Sequence, residues 1–470
     1  MHMRRDDSKQ WAKAAFGSAE LGDRRRLNRL MAIAAAASGR PDGRISEVFQ
    51  DAGEMHGAYD FVESPHVPVS ELVAAMGRGT LRGREGDDVL VPVDGSSLTF
   101  TDRQRSKGFG VLGSGERKST GMKVITALGV SSTGMTLGVL GQVWWARPKA
   151  RKKSPAQRAK RKPEDKETRY WVQAFQQAHA QCTARGVRPW FVVDREGDAR
   201  PLLLALSKLE GARFTVRSSW DRVVESTGKD RQYLRATLAK EEPLCVYSLE
   251  VPAGSNRQAR TARMELRAQR VKVRLRDKWT KKIEWLEMSA VWAREVGTAP
   301  KGERALDWLL YTNTVVDGAE SARSIVNGYA TRWRIEEFHK TWKTGACNAE
   351  RMQLRSSEAA MRWAIILAAV ATRIERLKYK ARTTPNAAAT DELGRDEVKM
   401  LVALAPGMKK RAEKAPDESL TIGEAVHWIA RIGGYTGTSS GGPPGSITIG
   451  RGLERLGYAV DGARAAGIFR

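Results

Sequence analysis

Apolar residues recur at helical spacing through the first 75 or so positions. Trp11, Phe16, Leu21, Leu27, Leu30, Met31 and Ile33 form short stripes. Gly39-Arg40-Pro41 breaks them, and Ile45 to Phe61 resumes with Phe49, Met55 and Tyr59. This stretch predicts helices only. From Asp88 the pattern changes. Val89-Leu90-Val91-Pro92-Val93 is a short apolar run that ends in Asp94, and Met122 to Val130 and Met135 to Trp145 predict two further strands. An amphipathic helix follows over about Glu167 to Arg185. The strand Trp190-Phe191-Val192-Val193 comes next and ends in Asp194. A helix over about Ala199 to Leu209 and a strand over Arg213 to Val216 complete the series. That order predicts an α/β fold, a mixed sheet with helical cover.

Beyond it, Cys245 to Val251 and Arg263 to Trp292 read as β-strands. Arg263-Met264-Glu265-Leu266 and Arg270-Val271-Lys272-Val273-Arg274-Leu275 alternate strictly, which predicts one buried face and one basic face. Residues from about 225 to 305 therefore form a β insertion. Helices return from Arg323 to about Tyr379, and Thr383-Thr384-Pro385-Asn386 reads as a linker. The tail is helical and alanine-rich, interrupted by a Gly/Pro-rich segment over 434–445. No internal repeat is evident.

Composition narrows the possible functions. At about 150 residues per domain, 470 residues suggest about three domains. Hydrophobic residues make up 41 %, enough to close cores and to exclude a mostly disordered chain. The apolar run Trp363 to Ala371 is far shorter than the roughly 20 residues of a membrane span. MHMRRDDSKQ has no apolar segment behind it, so no secretory signal is expected. Three cysteines, Cys182, Cys245 and Cys347, lie far apart, and the six histidines do not cluster with them. A reducing compartment without structural zinc follows. The formal charge is +26. A surface this basic attracts a polyanion, and nucleic acid is the expected partner. Arg147 to Lys166 concentrates that charge, with nine basic residues between Arg147 and Lys162 and almost nothing apolar. Arg24, Arg25 and Arg26 sit at a helix start, where they suit DNA backbone contacts or a plain solvated face equally well.

The aspartates carry the candidate chemistry. Asp94 and Asp194 each end an apolar strand, and the carboxyl ends of strands are where sites collect in open α/β sheets. On adjacent parallel strands the two carboxylates would repel unless a hard divalent cation, Mg²⁺ or Mn²⁺, lay between them. Each could instead be a turn or helix-cap aspartate.

A third element is sharper. On one helix at about 100° per residue, Tyr329, Arg332, Glu336 and Lys343 fall within roughly 60° of one another, with Lys340 just beside them. Thr331, Ile335, Phe338 and Trp342 form the opposite stripe. A simple salt bridge between Arg332 and Glu336 would explain that pair alone. It would not place Tyr329 and Lys343 on the same line. A third carboxylate flanked by phosphate-binding cations does.

The string YATRWRIEEFHKTWKTG, Tyr329 to Gly345, resembles the tyrosine-arginine-glutamate-lysine signature of DDE transposases of the insertion-sequence-four group, in the branch that includes the transposase of transposon five. Further segments resemble that family in the same order: WAKAAFGSAELGDRRR from Trp11, EMHGAYDFV from Glu54, GQVWWARP from Gly141, VVDREGD from Val192, RFTVRS from Arg213, LDWLLYTN from Leu306 and IARIGGY from Ile429. The resemblance implies an RNase H-like catalytic core with a β-strand insertion, flanked by all-α N-terminal and C-terminal domains. It implies a DNA-binding domain over 1–75, a catalytic domain over 76–380 and a mostly helical dimerisation domain over 381–470. Asp94, Asp194 and Glu336 match the metal-binding triad. Tyr329, Arg332 and Lys343 match positions that grip the phosphates of a transposon end. Arg217 matches a phosphate-contacting arginine, and Trp308 a tryptophan near a flipped base, although Trp308 could equally be core beside Leu309 and Leu310. Two Mg²⁺ ions about 3.5–4 Å apart, replaceable by Mn²⁺, would serve an in-line displacement at phosphorus. Cut-and-paste transposition on double-stranded DNA would follow, with end nicking, a hairpin, its resolution and strand transfer by a homodimer. A bacterial cytoplasmic, nucleoid-associated location and no membrane partner are expected.

Three features depart from the family's pattern. Pro92 lies inside a strand that should be central. The 147–166 loop is unusually basic, and little of the tail after Tyr435 matches, although Leu453 to Arg464 could form a dimer helix. Other readings remain: a Mg²⁺-dependent nuclease or junction resolvase on the same fold, a DNA-binding regulator with an inactive triad, and RNA binding through the basic β face.

Overall fold

A computed structural model describes residues 7–84, 88–113, 119–148, 166–226, 230–251, 258–277, 279–297, 299–409, 415–437 and 442–468. Most of the basic loop, 149–165, lies outside them. The chain divides into two compact units, residues 1–84, 95–149 and 334–470 in one, and 85–94 and 150–333 in the other. In chain order the elements are helices α1 (Asp7–Phe16), α2 (Arg24–Gly39), α3 (Ile45–Val48), α4 (Ala52–Glu63) and α5 (Val69–Thr80), then strands β1 (Asp88–Thr99), β2 (Gly110–Leu112), β3 (Ser119–Val130) and β4 (Thr136–Trp145). Next come α6 (Thr168–Thr183), β5 (Arg188–Val193), α7 (Arg200–Ser207), β6 (Arg213–Arg217), β7 (Val223–Val224), β8 (Gln232–Tyr233), α8 (Leu234–Lys240), β9 (Cys245–Val251), β10 (Arg260–Arg276), β11 (Ile283–Glu295) and β12 (Asp307–Thr312). The chain closes with α9 (Ala319–Ala330), α10 (Trp333–Lys343), α11 (Ser357–Thr383), α12 (Arg395–Leu404), α13 (Ile422–Ile432) and α14 (Ser446–Ala465).

The first unit is built around α11. The run Trp363 to Ala371 is buried on every side, so a helix apolar nearly all round is the core of this unit and not a membrane span. Its buried Arg362 and Trp363 reach backbone carbonyls of the N-terminal helical region, although Arg376 Nε has no partner among the described residues. Arg362 donates to the carbonyls of Val62 and Val67 at 2.7 Å, and the Trp363 indole donates to Gly43 at 2.8 Å. The helices expected over the first 75 residues are present, and β3 pairs antiparallel with β2 and β4. Among the described residues no helix is long and apolar enough to cross a membrane.

The second unit holds a mixed sheet. The first part of β1 pairs parallel with β5, and β5 with β6. Strand β12 runs antiparallel to β6, and β11, β10, β7 and β8 extend the antiparallel half, with β9 on the far side of β10. The strand alternation feeds two helical layers. Phe191 meets Phe175 of α6 edge-on, ring centres 5.5 Å apart. Trp190, on the opposite face, lies against Gly328 of α9, where a Cβ would come within 2.5 Å of the indole. The interval 225–305 contains β strands together with the short helix α8.

Two local expectations need correction. Strand β1 does not end at Asp94 but runs on to Thr99; only its parallel pairing with β5 stops at Val93. Pro92 faces Val192 in an unbroken register of the β1–β5 pairing. The helix drawn from Tyr329 to Lys343 is two helices. It breaks at Thr331-Arg332, where the Thr331 hydroxyl donates to the Gly328 carbonyl at 2.7 Å and Arg332 closes a tighter turn on Tyr329. Thr331 therefore belongs to the break and not to the apolar stripe. Ile335, Phe338 and Trp342 form that stripe on α10 and are buried.

Candidate active site

The registered pairs of β1 and β5 end at Val93 opposite Val193. The next residue on each strand is an aspartate, so Asp94 and Asp194 leave neighbouring strands about 4.8 Å apart. Alternation puts Asp194 on the same face as Trp190, the face covered by α9. Both aspartates are half-buried. Asp194 also caps the short turn that follows, its Oδ1 accepting from the Glu196 N–H at 2.7 Å. It thus serves both as the turn aspartate and as one of an adjacent acidic pair.

The end of α9 supplies the other side of this site. Tyr329 is buried, and burial pushes its phenol pKa up while the Arg332 and Arg217 guanidiniums pull it down and the Asp194 carboxylate adds to the rise. Arg217, the last residue of β6, is half-buried and donates to the Asp307 carbonyl at 2.9 Å. Trp308 on β12 meets the Tyr329 ring edge-on. It is half-buried, whereas Leu309 and Leu310 are fully buried, so Trp308 is not ordinary core. The Arg332 guanidinium lies 5.4 Å over the ring of exposed Trp333. Five groups scattered over 139 residues of sequence, Asp194, Arg217, Trp308, Tyr329 and Arg332, are thereby brought to one neighbourhood within the second unit.

Glu336, Lys340 and Lys343 stand on α10, in the first unit. Glu336 is half-buried, Lys340 is exposed, and Lys343 lies 4.0 Å from Glu350. Behind them, His339 is buried against Phe338 and Trp342, and burial together with the Lys343 charge pushes its pKa down to about 3. Near the N-terminus, Asp23 caps α2 by accepting from the Arg25 N–H at 2.7 Å. Arg24 and Arg25 are exposed, while Arg26 is committed to the Leu21 carbonyl at 2.9 Å.

One residue of consequence was not singled out from sequence. Asp198, in VVDREGD, is buried and accepts from the Ser219 N–H at 2.7 Å and from Arg222 Nε at 2.8 Å. It ties the turn after β5 to the segment after β6. Only its spacing from Asp194 could have hinted at this.

The oxygen-only character of Asp94 and Asp194 suits a hard divalent cation. The softer donors lie elsewhere: Cys182 is buried in α6 with its thiol pushed up to about 12 by burial, and burial also pushes up the thiol of Cys347. Among the described residues no three His, Cys, Asp or Glu side chains are already gathered as a metal site.

Fold and site together define an α/β protein with paired carboxylates at a parallel strand end, bordered by guanidinium and aromatic groups. The model of the family described as Transposase DNA-binding matches residues 8–67, and that described as Transposase DDE domain matches residues 166–373. The first match contains Arg24, Arg25 and Arg26. The second contains Asp194, Arg217, Trp308, Tyr329, Arg332, Glu336, Lys340 and Lys343, and Asp94 precedes it. The chain thus carries a transposase DNA-binding region followed by a transposase DDE domain, which support a DNA transposase with DNA as its partner. DDE transposase domains are generally dependent on divalent metal.

Proposed function

We propose that the protein binds transposon ends and carries out metal-dependent cut-and-paste transposition as a homodimer, in the manner of the insertion-sequence-four group. The observation that carries this reading is the adjacency of Asp94 and Asp194 at the end of the β1–β5 pairing. Asp94, Asp194 and Glu336 would hold Mg²⁺ or Mn²⁺. Bound there, the cations would lower the pKa of a water or 3′-hydroxyl and stabilise the leaving oxygen.

The protein's own groups position the DNA. Arg217, Arg332 and Lys343 offer charge-assisted hydrogen bonds to phosphate oxygens, with Tyr329 between the first two and Lys340 on the exposed side of α10. Trp308 presents a ring to a base displaced from the stack. Arg24 and Arg25, both exposed, would touch the backbone of end DNA. Domains over 1–75, 76–380 and 381–470 would divide end recognition, chemistry and dimerisation, the last through Leu453 to Arg464.

The test uses purified protein, Mg²⁺ and the DNA ends flanking its own gene. Cleavage, and joining of pre-cut ends to target DNA, are expected. Cleavage without joining would make it a nuclease or resolvase. Glu336→Ala is expected to abolish cleavage and leave end binding intact; cleavage that persists would overturn the site.

A further inference from the structure

The antiparallel half of the second unit carries a surface that this reading does not use. Strand β8 pairs with β7 through Tyr233 opposite Val223. Strand β7 pairs antiparallel with β10 through Val224 opposite Val273, which sets Val223 beside Arg274. Arg274 in turn faces Trp285 of β11. Directly opposed residues share a face of the sheet, so one row crosses four strands: Tyr233, Val223, Arg274, Trp285. The other face is the buried one, with Val224, Val271, Val273 and Leu275 all inside. The row is open to solvent, Tyr233 and Trp285 each being 44 % exposed.

The charge around the row is arranged in a particular way. The two carboxylates on this face are occupied, Glu225 by Lys272 at 2.9 Å and Glu287 by Arg270 at 3.0 Å. Arg274 and Arg276 make no ion pair among the described residues. Trp279 in the β10–β11 turn and Ile283, opposite Arg276, extend the exposed apolar surface. Rings flanking an uncommitted guanidinium fit a ligand with flat apolar faces and a negative backbone. A duplex hides its base faces in the stack, whereas an unpaired strand offers them to side-chain rings. Four-stranded sheets with outward aromatic rings stack two or three bases in this way. A second copy of this chain fits poorly, because a twofold contact would bring Arg274, Arg276 and Lys272 against their own images. A chain with a transposase DNA-binding region has DNA as its partner, so a deoxyribose strand is the occupant that fits, a choice that rests on the proposed function.

We infer that the outer face of β8, β7, β10 and β11 is a stacking platform for single-stranded DNA, with Tyr233 and Trp285 stacking bases and Arg274 and Arg276 holding phosphates. The inference does not depend on the role of the strand-end carboxylates. The test is ultraviolet cross-linking of the full chain to an oligodeoxythymidine, with the attached peptides mapped by mass spectrometry, beside anisotropy titrations with the same oligonucleotide and with a duplex. Cross-links at Tyr233 or Trp285 are expected. The double variant Tyr233→Ala, Trp285→Ala is expected to lose about tenfold or more in affinity for the single strand, with duplex affinity nearly unchanged. Trp285→Phe, which keeps a ring, is expected to retain most of the binding. Cross-links confined to other segments, equal losses for single strand and duplex, or a Trp285→Phe variant as weak as Trp285→Ala would each overturn the proposal. Tighter binding of oligouridine that is lost in the same variants would overturn DNA as the occupant.

Discussion

The ring of Tyr329 meets the ring of Trp308 edge-on, centroids 5.3 Å apart and planes at 70°. This contact joins the last turn of α9 to strand β12, and it fixes a buried phenol in the field of Arg217, Arg332 and Asp194. Packing and polarity are separable here. Tyr329→Ala removes the ring and is expected to lose about 3–5 kcal/mol of stability. Tyr329→Phe keeps the ring contact and is expected to lose about 1 kcal/mol. Urea unfolding of the two variants checks this, and equal losses would show that the ring contact contributes nothing of its own.

Asp194 holds a turn and faces a second carboxylate, and two substitutions separate those duties. Asn caps a helix about as well as Asp, whereas Ala loses about 1 kcal/mol at such a position. Asp194→Asn is therefore expected to melt close to the parent in chelator, and Asp194→Ala a few degrees lower. Mg²⁺ is expected to raise the parent's melting temperature and to leave both variants unmoved, because stabilisation follows from binding to the native state. Thermal melts with and without Mg²⁺ read both effects. A Mg²⁺ shift that survives in Asp194→Asn would remove this residue from the ligand set.

His339 makes stability depend on pH. Its pKa of about 3 in the folded chain lies below the ordinary value of 6.5, so the unfolded state binds more protons between those limits. The stabilisation is full above about pH 6.5 and is lost as the pH falls toward 3. At pH 5 the loss is roughly 2 kcal/mol, from 1.36 kcal/mol per unit of separation. Replacing His339 with Gln is expected to flatten that part of the profile. Denaturant midpoints from pH 7 to pH 4 measure it, and parallel profiles for parent and variant would contradict the buried neutral imidazole.

Asp198 is the most interconnected acid near the site. Its side chain is fully shielded and ion-paired with Arg222 at 2.6 Å. Asp198→Ala would leave that guanidinium without a counter-charge and the Ser219 N–H without an acceptor, while the Trp220 N–H would keep only the Ser218 hydroxyl at 3.3 Å. A loss of about 3–5 kcal/mol is expected. Equilibrium unfolding of the variant measures it, and a loss below about 1 kcal/mol would mean that the turn finds other partners.

The sequence carried the local elements because their patterns are short-range. The apolar run Trp190 to Val193, the alternation in Arg270 to Leu275 and the helical periodicity in Glu167 to Arg185 depend only on neighbours along the chain. Asp94 and Asp194 were legible for the same reason, each closing an apolar run. Ideal helical geometry misplaced Tyr329 and Glu336 on one rod, because a tertiary contact intervenes: Gly328 is pressed onto Trp190, and Thr331 bonds back to its carbonyl. The same periodicity could not show that β1 continues past Asp94, since strand length is set by partners across the sheet.

What the sequence by itself determined, then, is the set of elements and the chemical character of the residues that end them, together with the surplus positive charge that attracts a polyanion. Only the tertiary structure decided that Val93 stands opposite Val193, that Trp308 reaches Tyr329, and that Tyr233, Arg274 and Trp285 fall in one row. Register and packing are cooperative properties of strands distant in the chain, and no local propensity encodes which strand another will pair with or how far along it.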